Sequence, residues 1–363
     1  MKITLIAGAR PNFIKIAPII NAINRKHERC KIDYRIIHTG QHNDDRMSRT
    51  FFRDLNVPEP DINFGCGGGS QAEQTAAIMI AFEKELLMHP VDLVMVVGDV
   101  TSTMACAIVA KKLNTKVAHV EAGIRSFDMT MPEEINRIVT DSITDYFFTT
   151  SRFANENLQK AGVPDDKIFF VGNVMIDTLL ANRHKFRKPK IWDDLDLEKG
   201  NYLVMTLHRS SNVDDELKLK NLLGSIINAS RGIPVIFPVH PRTSKVIQSL
   251  NLSVPKSLSL IEPLGYLEFN YLVENSKGVV TDAGGITEET TVMGVPCITL
   301  RDNTERPETI TIGTNKLIGT NPAAIKPAIE KLFAGEWKKG GIPELWDGKA
   351  AERIISHLFE LNG

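Results

Sequence analysis

Residues 278–308 read GVVTDAGGITEETTVMGVPCITLRDNTERPE. The apolar run Val279-Val280-Thr281 has the length and β-branched content of a buried strand. It breaks at Asp282, turns through Ala283-Gly284-Gly285, and continues with helical character through Glu288, Glu289 and Met293. A strand that runs through a glycine pair directly into a helix presents backbone N–H groups at that helix's positive end, a cradle for an anion and typically for a phosphate. Gly284 and Gly285 carry no Cβ, so a ligand approaches closely. Glu288 and Glu289 fall in the first turns, where a carboxylate is stabilised and can also reach a ribose hydroxyl. The same local pattern suits an ordinary strand–helix turn whose glycines serve packing, and the rest of the chain decides between the two.

Working outward, the α/β rhythm fills the second half: strand 202–207, helix 216–230, strands 235–239 and 259–261, helix 267–274, the opening stretch, and strand 297–300 leading to Arg301 through Pro307. His208 and His240 stand at strand carboxyl ends, followed by Arg209 and Arg242. Either histidine alone reads as a satisfied structural residue; their equivalent placement favours ligand contact. The polar, basic segment between Arg183 and Gly200 reads as a linker spanning 175–200. It divides a first domain, 1–174, from a second, 201–348. The amphipathic segment 349–361 closes the chain.

The first half has the same rhythm. Lys2–Ala7 is a strand, Gly8-Ala9-Arg10 a turn, and Pro11 suits the first turn of a helix. Phe13, Ile16, Ile20 and Ile23 repeat at helical spacing and face a core. Arg10 and Lys15 fall off that stripe near the helix's positive end, where cations are unfavourable. A bound anion explains them, or they are two solvated surface cations. Strand 35–38 leads to a polar stretch containing Gln41. Gly67, Gly69 and Ala72 nominally fit a dinucleotide fingerprint, but the preceding Asp61-Ile62-Asn63-Phe64 is too short and polar for a buried first strand. A loop entering a helix from Gln71 to Leu87 fits better. Strand 93–97 ends at Gly98-Asp99, and strand 116–120 ends at Glu121-Ala122-Gly123. Asp99 and Glu121 thus share strand carboxyl ends, where open α/β sheets bind ligands; one such acid alone is more often a cap or turn residue. Glu133 and Arg137 open a further helix and, at i,i+4 spacing, can pair with each other.

Composition limits the function. A length of 363 residues suggests two domains. The hydrophobic content of 42% and charged content of 24% belong to a globular protein, and the net charge of −1 argues against nucleic acid or a membrane surface as partner. An anionic ligand must be held by locally placed Arg and Lys. MKITLIAGARPNF has neither a continuous apolar signal region nor a cleavage site, and Cys30, Cys66, Cys106 and Cys297 form no CxxC. The expectation is a cytoplasmic protein with reduced thiols and no metal site.

GARPNFIKIAP, GDVTST, HVEAGIRS, MPEEINR, PVHPR, TDAGGITEE and RDNTERPE occur in this order. This set resembles the bacterial non-hydrolysing UDP-N-acetylglucosamine 2-epimerases, from about Lys2 to Gly319. The resemblance implies a glycosyltransferase-B type fold: two Rossmann-like domains facing a deep cleft, with the final helix returning to the first. It implies no cofactor, a UDP-sugar substrate and a homodimer. Arg10, His208 and Ala283-Gly284-Gly285 would hold the diphosphate, Glu289 the ribose and Phe269 the uracil. Lys15, Asp99, Glu121, Glu133, Arg137 and Arg306 would surround the sugar. Gln41, Gln71, Arg209 and His240 would fall in or near a regulatory UDP-sugar pocket.

Two departures bear on substrate. The family commonly has Ser where this chain has Ala283, and Thr where it has Ala9; the latter variant also occurs in relatives that epimerise UDP-2,3-diacetamido uronic acids. The chemistry implied is C2 epimerisation. The C2 proton is not acidic, and no nicotinamide site is legible to oxidise C3. Elimination remains: the C1–O bond to UDP breaks, a carboxylate removes the C2 proton, and UDP adds back to a 2-acetamidoglucal after protonation from the other face. Two faces need two proton-transfer groups, with Asp99, Glu121 and Glu133 as candidates and at least one acid held neutral by crowding. Water must be excluded, so domain closure is expected. A glycosyltransferase of the same fold, a hydrolysing epimerase and a non-catalytic UDP-sugar-binding regulator are the rival readings.

Overall fold

In the computed structural model the described residues are 1–26, 32–41, 51–239, 241–249 and 257–361. The chain divides into two compact units, Met1–Ala181 with Glu344–Gly363, and Asn182–Pro343. The helix Val174–Asn182, assigned to the linker from sequence, therefore belongs almost wholly to the first unit.

The first unit is built on a seven-stranded sheet in which every pairing is parallel. Its strands are β1 (Lys2–Ala7), β2 (Asp33–His38), β3 (Ile62–Asn63), β4 (Leu93–Val97), β5 (Lys116–Ala122), β6 (Tyr146–Thr149) and β7 (Ile168–Phe170), in the order β3-β2-β1-β4-β5-β6-β7. From the β1–β4 seam the connections run outward in opposite directions, which makes that seam the switch point where α/β sheets leave a crevice. The helix Arg10–Lys26 follows β1, and its predicted stripe of Phe13, Ile16, Ile20 and Ile23 is buried. The loop before the helix Gln71–Met88 ends in a full capping box: Ser70 Oγ accepts from the Glu73 N–H and Glu73 accepts from the Ser70 N–H.

The closing helix Ala350–Glu360 packs on the helix Arg10–Lys26 and buries Ala350, Ala351, Ile354, Ile355 and Leu358. Its first N–H groups, at Ala350 and Ala351, donate to Asp177 at 3.1 and 2.7 Å. Burial pushes the Asp177 carboxyl up to about 6, against the pull of those two N–H bonds.

The second unit repeats the architecture with six parallel strands: β8 (Leu203–Thr206), β9 (Val235–Pro238), β10 (Leu258–Ile261), β11 (Gly278–Thr281), β12 (Cys297–Thr299) and β13 (Asn315–Leu317), ordered β10-β9-β8-β11-β12-β13. Its switch point is the β8–β11 seam, where Thr206 and Thr281 face each other and share a 2.6 Å hydrogen bond. Strand alternation sends Leu203 and Met205 into one core cluster and Tyr202 and Val204 into another, so both faces of the sheet are covered. These two Rossmann-like units are the components of the glycosyltransferase-B fold expected from sequence. Among the described residues no helix is long and apolar enough to cross a membrane.

Candidate active site

At the β1–β4 seam of the first unit, Asn12 locks the turn after β1. Its side-chain oxygen accepts from the N–H groups of Gly8 and Ala9 at 3.0 and 2.9 Å, and its amide donates to Val97 O at 2.9 Å. Gly8 is required by close approach: a Cβ there would meet Ser102 Oγ at 2.1 Å. The helix that follows carries Lys15 inward, where it forms a buried ion pair with Glu121. Lys15 is thus no solvated cation; its counter-charge is a protein carboxylate. Arg10 is half-buried, with its guanidinium 5.1 Å over the Phe51 ring.

Glu121 sits in a β-bulge. The β5–β6 register shifts between Val120 and Ala122, and Glu121 takes φ +77°, a left-handed conformation rare for a residue with a Cβ. Such a conformation costs roughly 1–3 kcal/mol and persists only where the surroundings enforce it. The bulge re-aims the side chain of a strand-end residue, and Glu121 is 2% exposed.

Asp99, directly after β4, is held by Arg137, which donates from Nη2 and Nε at 2.6 and 3.0 Å. Arg137 also donates at 2.6 Å to Glu134, which accepts from the N–H groups of Ser126 and Phe127. Asn136 Nδ2 donates to the Asp99 carbonyl at 2.9 Å. The i,i+4 pair considered from sequence, Glu133 with Arg137, is replaced by Glu134 with Arg137, three residues apart. The reason is geometric: Glu134, Asn136, Arg137, Thr140 and Asp141 share the buried face of the helix Pro132–Ile143, whereas Glu133 lies exposed on the other side. The acids are therefore not simply crowded together. Lys15 and Arg137 stand against Glu121 and Asp99 respectively.

Gln41 and Gln71 converge on the first turn of the helix Thr101–Lys112. Gln41 accepts from Ser102 N at 3.2 Å and Ser102 Oγ at 2.8 Å, and Gln71 accepts from Thr101 Oγ1 at 3.4 Å.

In the second unit the hub at the β8–β11 seam is Asp282, which sequence reading treated only as a strand breaker. It is fully buried and accepts from the N–H groups of His208 and Arg209, from Asn212 Nδ2, and from His208 Nδ1 at 2.8 Å. Burial alone would push this carboxyl up, but His208, then Asn212 and the Arg209 N–H, hold it below the usual carboxylate range. The exposed His208 ring is thereby oriented through Nδ1, leaving Nε2 for a ligand. Arg209 Nε donates to the Asp282 carbonyl at 3.0 Å. His240 lies outside the described residues.

The predicted cradle is the N-terminus of the helix Gly284–Met293, whose N-cap, Ala283, has extended backbone and no capping side chain. A Cβ on Gly284 would come within 2.6 Å of Glu305 Oε1, so this glycine also makes room for the Arg301–Glu305 ion pair. Gly285 lies half-buried in the same turn. Glu289 accepts from the Tyr266 hydroxyl at 2.8 Å, and Glu288 pairs with Arg306 at 2.5 Å. Phe269 is half-buried and packs against the core cluster containing Tyr202 and Leu272.

The motif reading missed Asn12, Glu134, Asp282 and Tyr266. Asp282 alone had a visible signal, since an acid between a buried strand and a glycine turn has unpaired backbone N–H groups within reach.

A family model described as UDP-N-acetylglucosamine 2-epimerase matches residues 24–359. The UDP-N-acetylglucosamine 2-epimerase of Methanocaldococcus jannaschii is 42% identical over 369 aligned residues, covering 99% of each chain. The crystal structure of the M. jannaschii UDP-GlcNAc 2-epimerase in complex with UDP-GlcNAc and UDP matches with a TM-score of 0.91, over 99% of this chain and 100% of that one. The UDP-2,3-diacetamido-2,3-dideoxy-D-glucuronate 2-epimerase of Pseudomonas aeruginosa is 38% identical, over 99% of this chain and all of that one. By sequence along nearly its whole length and by fold, the chain belongs to the UDP-N-acetylglucosamine 2-epimerase family.

Proposed function

We propose that this protein interconverts UDP-N-acetylglucosamine and UDP-N-acetylmannosamine without hydrolysis. The observation that carries the chemistry is the bulged, left-handed Glu121 paired with Lys15, because strain of that kind is kept where an acid must be aimed. The first unit supplies the proton-transfer groups. The C1–O bond to UDP breaks with its electrons going to the nucleotide, and a carboxylate takes the C2 proton as the C1–C2 double bond forms. UDP then adds back to C1 as a second acid delivers a proton to the opposite face of C2. Asp99, Glu121 and Glu133 are the groups assigned to these transfers, and Lys15, Arg137 and Arg306 balance charge around the sugar.

The second unit grips the leaving nucleotide. His208 oriented by Asp282 and the turn Ala283-Gly284-Gly285 are assigned to the diphosphate, as is Arg10 of the first unit, with Glu289 for the ribose and Phe269 for the uracil. Donors fixed in advance against a departing anion stabilise the transition state by about 3–4 kcal/mol each in comparable sites. Gln41, Gln71, Arg209 and His240 are assigned to a regulatory UDP-sugar pocket.

The deciding experiment is incubation with UDP-N-acetylglucosamine in D2O, followed by NMR. The expected outcome is deuterium at C2 and a mixture of gluco and manno UDP-sugars. Free N-acetylmannosamine would mean hydrolysis instead. Ala9 and the P. aeruginosa relative favour a second reading, the same chemistry on a UDP-2,3-diacetamido uronic acid; exchange with that sugar alone would establish it.

The chain is proposed to act in the cytoplasm as a homodimer. The helix Gln71–Met88 is apolar on both sides, with Ile78, Phe82 and Leu86 inward and Ile80 and Leu87 exposed, and such a helix calls for a second cover. The helix Thr101–Lys112 separates it from the helix Pro132–Ile143, which exposes Ile135 and Ile138. Light scattering on an Ile80→Asp variant tests this: a monomer is expected, and an unchanged dimer would move the interface elsewhere.

A further inference from the structure

Strand β5 carries a histidine where its neighbours are apolar. His119 is fully buried between Ala118 and Val120, also buried, and it belongs to none of the substrate-contacting groups assigned above. Both of its ring nitrogens face acceptors. Nε2 donates to the Gly98 carbonyl at 2.8 Å, and Nδ1 meets Asp141 Oδ1 at 2.7 Å. Burial alone would push the Asp141 carboxyl up, but His119 and then Arg125 hold it below the usual range.

The two ends of this arrangement reach the two acids. Gly98 is the residue before Asp99 and has φ +67°, so its carbonyl fixes the peptide that launches the Asp99 side chain. Asp141 Oδ2 accepts from the Gly123 N–H at 3.1 Å and pairs with Arg125 at 2.6 Å. His119 and Gly123 are the two shoulders of Glu121, each two residues from it. One buried carboxylate therefore holds both sides of the strained bulge, and through the imidazole it also holds the end of β4. Valine at this position would cover the sheet without the desolvation that a buried His–Asp pair incurs.

We propose that His119 and Asp141 are positioning residues that jointly fix Asp99 and Glu121 for proton transfer at C2. The inference rests on the reading of those two acids as proton-transfer groups. Misplacing a reacting group by about 1 Å costs about 100-fold in rate, without any need for a change in ligand affinity.

The test compares His119→Val, His119→Gln and Asp141→Asn with the unmodified protein, measuring kcat and KM for C2 deuterium exchange, UDP affinity by calorimetry, and thermal stability. His119→Val is expected to lower kcat about 100-fold with KM and UDP affinity unchanged. His119→Gln, whose amide restores a donor toward Gly98, is expected to recover part of that loss, and Asp141→Asn to lose kcat alone. Unchanged kcat in His119→Val overturns the proposal, as does a loss spread over kcat, UDP affinity and stability with no recovery in His119→Gln. If His119→Val does not fold, Asp141→Asn decides by the same criteria; if neither folds, the pair is structural and the proposal fails. Absence of C2 exchange in the unmodified protein would instead overturn the parent reading of Asp99 and Glu121.

Discussion

The helix Pro132–Ile143 of the first unit and the helix Glu216–Ser230 of the second both pack along a parallel sheet, but they turn opposite chemistry toward it. The second buries Leu219, Leu222, Leu223 and Ile226 against Leu203, Met205 and Phe237. The first buries Glu134, Asn136, Arg137, Thr140 and Asp141 and leaves Ile135 and Ile138 exposed. Burying an aliphatic side chain contributes about 1.5–3 kcal/mol, whereas buried charges are tolerable only when paired and hydrogen-bonded. The second helix is explained by stability alone. The inverted one is not, and every polar group on its inner face except Thr140 holds Asp99, the Glu121 bulge or the loop that follows the bulge.

The sharpest way to break this contrast is Glu121→Gln. The amide keeps the size of the side chain and removes its proton chemistry, so C2 exchange should fall by about 10²–10⁴-fold with UDP affinity preserved. Full turnover would mean that the bulge is structural and that the inverted helix serves something else.

A pair of variants then sets the two helices side by side. Arg137→Met strands Glu134 and leaves Asp99 without its cation, and losing one partner of a buried ion pair costs about 3–5 kcal/mol. Leu222→Ala in the ordinary helix opens a cavity and costs about 2–5 kcal/mol. Denaturant titration should find similar destabilisation, while only Arg137→Met loses turnover in what remains folded. Equal activity in the two variants would erase the distinction.

Stability against pH sharpens the comparison at another buried carboxylate of the first unit. Among the described residues, Asp177 accepts from the backbone N–H groups of Ala350 and Ala351, whereas Glu134 and Asp141 are each paired with an arginine. Burial lifts its carboxyl to about 6, above the value of an unfolded chain near 4. The folded state therefore binds the proton more tightly, and the stability this contributes is full below about pH 4 and lost as pH rises through about 6. The swing is about 3 kcal/mol at most, from the gap between about 6 in the folded chain and about 4 in the unfolded one. Denaturation midpoints between pH 4 and 8 should show this decline, and Asp177→Asn should flatten it. An unchanged slope in the variant would assign the decline to other groups.

How much of this was legible in the sequence follows from which signals are local. The β1, β4, β8 and β11 runs are short and apolar, and the acids at the ends of β4 and β5 follow directly from them. Glu133 with Arg137 obeys a valid local rule, yet Arg137 is drawn to Asp99, 38 residues away, and only the helix's rotation decides which glutamate goes with it. That rotation was hidden because the inward face is polar, so hydrophobic periodicity points the wrong way. His119 and Asp141 were invisible for a related reason: a single histidine within an apolar strand carries no motif, and its partner lies 22 residues on. Asp282 was read for what it interrupts, although its importance lies in the donors it collects.

The smallest effect returns to the turn that opens the second unit's proposed anion cradle. Ala283 sits at the N-cap of the helix Gly284–Met293 with φ −88° and ψ 135°, the backbone a capping serine adopts, but it has no oxygen to offer the first-turn N–H groups. Ala283→Ser supplies one without any backbone change. In the free protein the hydroxyl should cap the helix and raise stability by about 1 kcal/mol, seen as a higher melting temperature. With UDP bound, the hydroxyl can still donate its proton to phosphate, but the phosphate would also accept from the first-turn N–H groups that the hydroxyl caps in the free protein. The two gains therefore compete, and UDP affinity should rise by less than the tenfold that about 1.4 kcal/mol would bring. A large rise in affinity with no rise in melting temperature would mean that the first-turn N–H groups are already satisfied in the free protein. In that case the second unit, like the first, would already hold its proposed ligand turn from within, and the contrast between the two units would narrow to the single inverted helix.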